Sequence, residues 1–232
     1  MILRSIFTRR KVARGYRRVS RGQSMVEMAL TFPVLLLILA GAVEVGVYYN
    51  TYLTLMDATR EGARRSANND YLNGDLTYDC TETVDFYRQG ACLVYQNLER
   101  NLPDVFNPAR DDILISVIQI RHGVIYKRFV DPYLTESESG WSFCADMGPH
   151  LVPPVSCTRA YSRFPNSVLQ ARLTQYSDAA SAPNSAYVLV EIYHVHHQFL
   201  GLIPPGLPFL PQEVVMHTYS IMPVPSAASD VP

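Results

Sequence analysis

Four cysteines are the residues of this 232-residue chain whose chemistry is easiest to anticipate: Cys80, Cys92, Cys144 and Cys157. An even number of cysteines in an oxidising compartment predicts two disulfides, and the sequence is compatible with three pairings. Pairing of nearest neighbours would close two loops of about 13 residues, each worth about 3 kcal/mol in the chain-entropy model. Zinc binding is the alternative, but no C-x-x-C spacing favours it.

Three histidines lie close together in an apolar stretch near the C-terminus. His194 and His196 share one face of the predicted strand and His197 lies on the other. An H-x-H pair can bind a metal, but no acidic or histidine partner is recognisable by its spacing. Catalytic signatures such as G-x-S-x-G, H-E-x-x-H and G-x-G-x-x-G are absent from the sequence. We therefore expect no metal site, no cofactor and no enzymatic activity.

Two glutamates, Glu27 and Glu44, lie at the head and near the end of a long apolar run. Residues 28–43 carry no charge, and the run resumes after Glu44 as far as residue 49. As a helix, residues 28–49 would rise about 33 Å, enough to cross a hydrocarbon core of about 30 Å. A helix buried in a soluble protein is the alternative, but such helices rarely run apolar on every face.

Charge on the two sides of the run predicts its orientation. Residues 1–22 hold eight cations and no acid, which leaves 12 cations and 21 acids for the rest of the chain. The positive-inside rule keeps such a basic arm in the cytoplasm and places the residues after the span outside. A basic arm also suits nucleic acid, but the apolar run that follows makes a membrane protein the favoured interpretation, and we expect no nucleic-acid partner.

A cleaved secretory signal peptide is a further alternative, because residues 40–42 form an A-x-A site. Against cleavage there, apolar and small residues continue at spacings of three and four from Val45 to Ala63. The pattern therefore predicts one helix over residues 24–67, about 66 Å long. About half of it would cross the bilayer, and the other half would stand outside as a stalk.

The junction between the arm and the span carries a recognisable pattern. Gly22 ends the arm, and Glu27 follows five residues later at the head of the apolar run. This arrangement resembles the cleavage site of type IV pilin-like proteins, which a prepilin peptidase cuts after the glycine and which keep a glutamate at the fifth mature position. The resemblance implies a mature chain that begins at Gln23.

An ordered set of short motifs extends the likeness over about 50 residues. They are Arg21-Gly22-Gln23 with Val26, Glu27 and Ala29; Pro33; Gly41, Glu44 and Gly46; and Ala58, Arg60, Glu61, Gly62, Ala63 and Arg64. In this the chain resembles the TadE family of pseudopilins, minor components of tight-adherence (Flp-type) pilus systems. The resemblance implies a protein of the bacterial inner membrane that takes part in pilus assembly, surface adhesion or secretion. It also implies a prepilin peptidase, other pilin-like subunits, the inner-membrane assembly platform and the lipid bilayer as partners.

Four residues of the helix are candidates for a role in assembly. Glu27 lies in the first helical turn, where the helix dipole stabilises an anion and the α-amino group of a neighbouring subunit could pair with it. Pro33 lies too deep for a first-turn proline, so we expect a kink. Glu44 could make a polar contact with another subunit. Gly62 costs about 1 kcal/mol relative to alanine in a helix, which indicates close approach of another segment.

The remainder of the chain predicts an α+β domain with a small antiparallel sheet that packs on the stalk. We place a leader over residues 1–22, the membrane and stalk helix over 23–67, and the extracytoplasmic domain over 68–232. Strands are predicted at 113–121, 124–130, 186–199 and 213–221, short helices at 92–101 and 166–176, and loops over 131–165.

Two other classes of function remain open at this point. A signal-anchored extracytoplasmic binding domain outside any pilus would keep its basic arm. A membrane-tethered enzyme would require a pocket with convergent polar groups near the sheet.

Overall fold

A computed structural model describes most of the chain. The described residues are 21–68, 85–102, 106–131, 135–151, 154–174, 184–198, 200 and 213–224. The predicted leader up to residue 20, Cys80, the proline-rich stretch at 204–211 and the C-terminal tail lie outside them. The chain divides into two compact units, Met1–Ala42 and Val43–Pro232.

Helix α1 runs from Arg21 to Ala67 without interruption. It confirms the predicted single long helix and begins three residues earlier than expected. Pro33 lies inside it, where it has no amide proton to donate to the carbonyl of Ala29. The basic side chains of Arg64 and Arg65 lie in the last turn, where positive charge interacts favourably with the helix dipole.

One antiparallel sheet forms the centre of the second unit. Its strands are β1 (Asp112–Arg121), β2 (Val124–Phe129), β3 (Trp141–Ser142), β4 (Ser185–His197) and β5 (Glu213–Pro223). The order is β2-β1-β4-β5, and β3 pairs with β1 beyond the end of β2. The turn between β1 and β2 has positive φ angles at His122 (50°) and Gly123 (72°), as a two-residue hairpin requires. The four predicted strands and the α+β class are confirmed.

Three short helices surround the sheet: α2 (Phe86–Asn101), α3 (Phe143–Met147) and α4 (Asn166–Thr174). Helix α4 matches its prediction closely. Helix α2 begins six residues earlier than predicted because Asp85 caps it, its carboxylate accepting a hydrogen bond from the Tyr87 amide at 2.9 Å.

Strand β3 and helix α3 form where the sequence predicted only loops. A buried carboxylate holds them: Asp112 accepts hydrogen bonds from the Ser142 hydroxyl (2.7 Å) and the Cys144 amide (3.0 Å). The Cys144–Cys157 disulfide then ties α3 to the following loop across a Cα–Cα distance of 5.9 Å. Nearest-neighbour pairing is therefore confirmed for these two cysteines. Cys92 is also disulfide-bonded, and its predicted partner lies outside the described residues.

The core lies between one face of the sheet and the outer half of α1. Strand β1 contributes Ile113, Ile115 and Val117 to this side, and α1 contributes Leu55 and Ala58, all of them buried. The opposite face of the sheet is covered by α4 and the preceding loop, through Leu169 and Phe164. The predicted packing of the sheet on the helix is thus confirmed within the second unit.

Small residues allow α1 and α2 to approach closely. A Cβ atom added to Gly62 would overlap the Cγ2 methyl of Val94, and one added to Gly90 would lie 2.5 Å from the Ser66 hydroxyl oxygen. Each helix therefore uses a glycine where the other presents a side chain. The segment whose close approach Gly62 indicated is α2 of the same chain.

We expect Gly62→Ala to destabilise the folded domain. Overpacking costs about 1–3 kcal/mol, whereas alanine gains about 1 kcal/mol of helix propensity. Gly46→Ala is the matched control, because nothing lies within 4 Å of the added carbon, and it should be neutral or stabilising. Thermal unfolding of the detergent-solubilised full chain measures both. In the double variant Gly62→Ala/Val94→Ala the added methyl has room, so its loss of stability should be smaller than the sum of the losses in the two single variants. Additive losses would contradict the contact.

Candidate functional site

The first unit exposes an apolar helix. Every large apolar side chain from Met25 to Leu39 is at least 48% exposed. Within the described residues, α1 is the one helix long and apolar enough to cross a membrane, and its most apolar window is not buried in this chain. A core helix of a soluble protein would be buried, so α1 is a candidate membrane anchor.

The predicted processing and assembly residues of this unit are spread along the helix. Gly22 and Gln23 lie in the first turn of α1. The prediction that Glu27 lies in the first turn is wrong: because the helix begins at Arg21, Glu27 lies one turn later. The Thr31 hydroxyl donates a hydrogen bond to the backbone carbonyl of Glu27 at 2.7 Å. Pro33 follows half a turn after Thr31. Their roles in cleavage and assembly stay predictions.

Glu44 belongs to the second unit and contacts its own chain. Its Oε2 accepts a hydrogen bond from the Leu200 amide at 3.0 Å, and its Oε1 lies 3.9 Å from His196 Nε2. The carboxylate therefore joins α1 to the end of β4 and the residues after it. Its predicted contact with another subunit stays a prediction beside this intrachain role.

The histidines of β4 are arranged as predicted, with His194 and His196 buried and His197 exposed. His194 Nδ1 lies 2.9 Å from the Asp111 carboxylate, which also accepts the Val195 amide at 2.8 Å. Sequence spacing did not reveal this acidic partner, because Asp111 lies 83 residues away, directly before β1. The described residues contain no group of three or more His, Cys, Asp or Glu that could hold a metal ion.

Beyond Glu44, α1 has two different faces. Thr51, Leu55 and Ala58 are buried against the domain. On the other side Val45, Tyr49 and Leu53 are 63%, 60% and 42% exposed. Their spacing of four residues places them on one stripe of the helix. The exposed apolar surface of α1 therefore continues into the second unit, and it is the candidate assembly surface.

Charged residues follow this stripe toward the end of the helix. Glu61 Oε1 lies 2.9 Å from Arg64 Nη2 and 2.6 Å from Arg65 Nε. Hydrogen bonds from Arg65 and Arg64 lower the pKa of Glu61. Arg60 lies 3.8 Å from Asp57 in an exposed pair. Such exposed pairs add little stability, so their value lies in keeping this part of the stalk hydrated.

These features define a class of protein: an α+β domain carried on a helix whose apolar half can serve as a membrane anchor. Residues 22–64 match the family model described as TadE-like protein. The matched segment lies entirely within α1, and the predicted resemblance to TadE-like proteins is confirmed there. No curated protein and no solved structure matches the chain.

The buried histidine pair predicts a pH dependence of stability. Burial and the neighbouring His194 lower the pKa of His196, against an opposing effect of Glu44. Because the folded state binds this proton less readily than the unfolded chain, stability is lost as the pH falls through and below the ordinary histidine pKa of about 6.5. We expect His196→Gln to reduce the fall in unfolding temperature between pH 7.5 and 5.

The exposed neighbour supplies the control for this measurement. His197 has a side chain 41% exposed, so His197→Gln should leave the pH profile close to that of the unmodified chain. Thermal unfolding of the full chain in detergent at a series of pH values measures all three proteins. An unchanged fall in His196→Gln would show that other groups cause the pH dependence.

Proposed function

We propose that this chain is a minor pilin-like subunit that takes part in assembly of a tight-adherence (Flp-type) pilus. The observation that carries the proposal is the coincidence of two facts on one helix. Residues 22–64 match TadE-like proteins, and between residues 25 and 53 this segment exposes large apolar side chains that the described part of the chain does not cover. Such a surface needs lipid or other apolar helices around it.

The same features support a single-pass arrangement in the bacterial inner membrane. The basic arm of residues 1–22 stays in the cytoplasm, and the sheet domain lies outside. The Cys144–Cys157 disulfide supports this orientation, because disulfides persist in oxidising compartments and are rare in the cytosol.

In this proposal a prepilin peptidase cuts after Gly22, and the helix then passes from the bilayer into contact with other pilin-like helices. Gly22 lies in the first turn of α1, where helices fray and the backbone can be reached. The alternative signal-peptide site at residues 40–42 lies in the middle of the continuous helix. This position argues against cleavage there.

The outer domain works in this proposal by packing and charge pairing, not by bond chemistry. The buried polar groups that converge at Asp112 hold α3 and the following loop in place. We propose that the domain supports assembly, capping or adhesion.

N-terminal sequencing of the mature protein tests the processing step. In cells that contain a prepilin peptidase we expect the first residue to be Gln23. A Gly22→Ala chain is the matched control, and it should keep its arm. An intact arm in the unmodified protein would favour a signal-anchored binding domain outside any pilus. A start at Val43 would identify α1 as a discarded export signal.

Glu27→Ala tests the assembly step. Removal of one carboxylate from an apolar segment should leave membrane insertion intact, because it lowers the cost of insertion. It should impair incorporation with partner pilins if the carboxylate pairs with a neighbouring α-amino group. Membrane fractionation and co-purification with tagged partner pilins measure the two effects. Asp57→Ala, which removes an exposed carboxylate of the same helix, is the control, and normal incorporation of Glu27→Ala would contradict the role.

A further inference from the structure

Strand β5 forms one edge of the sheet. Among the described strands it pairs only with β4. The Val224 amide donates to the Ala186 carbonyl directly opposite at 2.8 Å, and the antiparallel register continues from this pair along the whole strand without a shift. Bonded and non-bonded pairs alternate in an antiparallel ladder. The backbone groups of every second residue therefore point away from β4: Val215, His217, Tyr219 and Ile221.

Proline at the end of the strand agrees with this assignment. Pro223 follows Ile221 by two residues, so its backbone also points away from β4, and it lies opposite Tyr187 in the register. A proline is tolerated in a strand where its missing N–H faces away from the neighbouring strand. In the described part of the chain, no hydrogen bond satisfies the outward groups of the four residues.

The opposite edge of the sheet is protected, whereas no hydrogen bond from a described residue covers this one. Strand β2 is joined to β1 with a shift in register at Gln119/Ile120. It carries the Lys127–Glu136 ion pair, and Phe129 forms a bridge with Glu136. These are devices that keep strand edges from pairing with other chains. Residues 214–223 contain no Asp, Glu, Lys or Arg and no proline before the last position.

The exposed edge is also held rigid. His217 Nε2 lies 2.9 Å from the buried Glu191 carboxylate on β4, and its ring lies 4.6 Å from that of Tyr193. Burial raises the pKa of Glu191, but the hydrogen bonds from His217 and the Arg163 amide outweigh it and hold the pKa below its ordinary value. A fixed edge loses little conformational freedom when another strand binds.

A groove runs beside this edge. It has a volume of about 460 Å³ and lies between β5 and the outer half of α1. Tyr52, Met56 and Arg60 line it from the helix, and Thr218 and Ser220 line it from the strand. An additional strand on β5 would direct every second side chain into this groove, which is how added strands acquire sequence preference.

We propose that the outer edge of β5 accepts an extended segment of another protein of the same apparatus as a sixth strand of the sheet. The row of outward amides and carbonyls selects an extended backbone. The absence of charge over residues 214–223 favours uncharged guest side chains against the strand, because a charged side chain there would lose water without gaining a partner on β5. Val215 and Tyr219 are 53% and 44% exposed and would pair with apolar side chains of the guest.

A second copy of this chain is a poor occupant. Glu44 of α1 lies near His196 of β4, and Gly62 of α1 lies near Val190 of β4. Residue numbers therefore rise along α1 while they fall along β4, so the two elements are antiparallel. Because β5 is antiparallel to β4, it runs in the same direction as α1. Two copies joined at β5 by a two-fold axis pair their strands antiparallel. The stretches of α1 that pack on the two sheets, residues 44–62, would then run in opposite directions, whereas copies anchored in one bilayer with the same orientation would have them parallel. This step rests on the membrane anchoring in the proposed function.

Amide hydrogen exchange with residue resolution tests the proposal. The full chain is measured alone in detergent micelles and in the complex that co-purifies with its pilin-like partners. We expect the outward amides of residues 215, 217, 219 and 221 to exchange at least tenfold more slowly in the complex. The amides of 216, 218 and 220 bond to β4 in both states and are the internal control, so their rates should not change.

The outcomes distinguish failure of the strand addition from failure of the proposed function. Co-purification without protection of the outward amides overturns the strand addition and leaves the proposed function standing. Absence of any co-purifying pilin-like protein contradicts both. Protection that rises with the concentration of the isolated chain would identify a second copy as the occupant and overturn the proposal.

A proline variant supplies a second measurement. Val215→Pro removes an outward amide without removing a bond to β4, and the exposed side chain makes a folding defect small. Val215→Thr keeps the amide and the β-branched shape. We expect Val215→Pro to weaken co-purification at least fivefold and Val215→Thr to leave it unchanged, with equal unfolding temperatures for the two variants. Equal co-purification of both would overturn the proposal.

Discussion

The rest of this structure depends on the exposed apolar surface of helix α1. Up to residue 42, α1 presents large apolar side chains around its circumference, and the described part of the chain does not cover them. Each square ångström of apolar surface left in water costs about 25 cal/mol. This exposed surface makes the segment a candidate membrane anchor, and the proposed assembly uses the same surface.

The second unit uses the same helix in a different way. Beyond Glu44 one face of α1 becomes part of a protein core, and the change depends on small residues. Ala58, Gly62 and Ser66 allow the sheet and α2 to come close to the helix, while Val45, Tyr49 and Leu53 keep an apolar stripe exposed on the other side. The helix thus stabilises its own domain without giving up the surface available to partners. Gly62 belongs to the segment that matches the family. Its contact with α2 of the same chain explains this glycine without a second subunit.

Polar groups in the domain hold elements together where the backbone alone would not. Asp111 joins the end of β4 to the segment before β1, Asp112 holds β3 and α3, and Glu191 fixes β5 through His217. Each carboxylate is buried and accepts several hydrogen bonds, which offsets the cost of removing it from water. Two of these contacts lie beside the edges of the sheet. The Glu191–His217 contact holds β5 against β4, and the strand order leaves β5 at the edge of the described sheet.

Local patterns in the sequence determined much of the fold. Unbroken hydrophobicity predicted α1, β-branched runs predicted β1 and β4, and the proximity of Cys144 and Cys157 suggested their pairing. These signals are local, so they survive without knowledge of the rest of the chain. Helix α2 was predicted too short. Its second turn holds Gly90, which is unfavourable in an isolated helix by about 1 kcal/mol, and the close approach of Ser66 and Ile115 explains the glycine.

The tertiary structure alone decided the long-range relations. The His194–Asp111 contact spans 83 residues, and the bonds that create α3 come from a strand 30 and 32 residues away. No spacing rule encodes such pairs, because they depend on which strands become neighbours. The open edge of β5 has the same origin. The sequence of a strand does not show whether it lies in the centre or at the edge of a sheet, and only the order β2-β1-β4-β5 shows that the outer side of β5 is unpaired among the described strands.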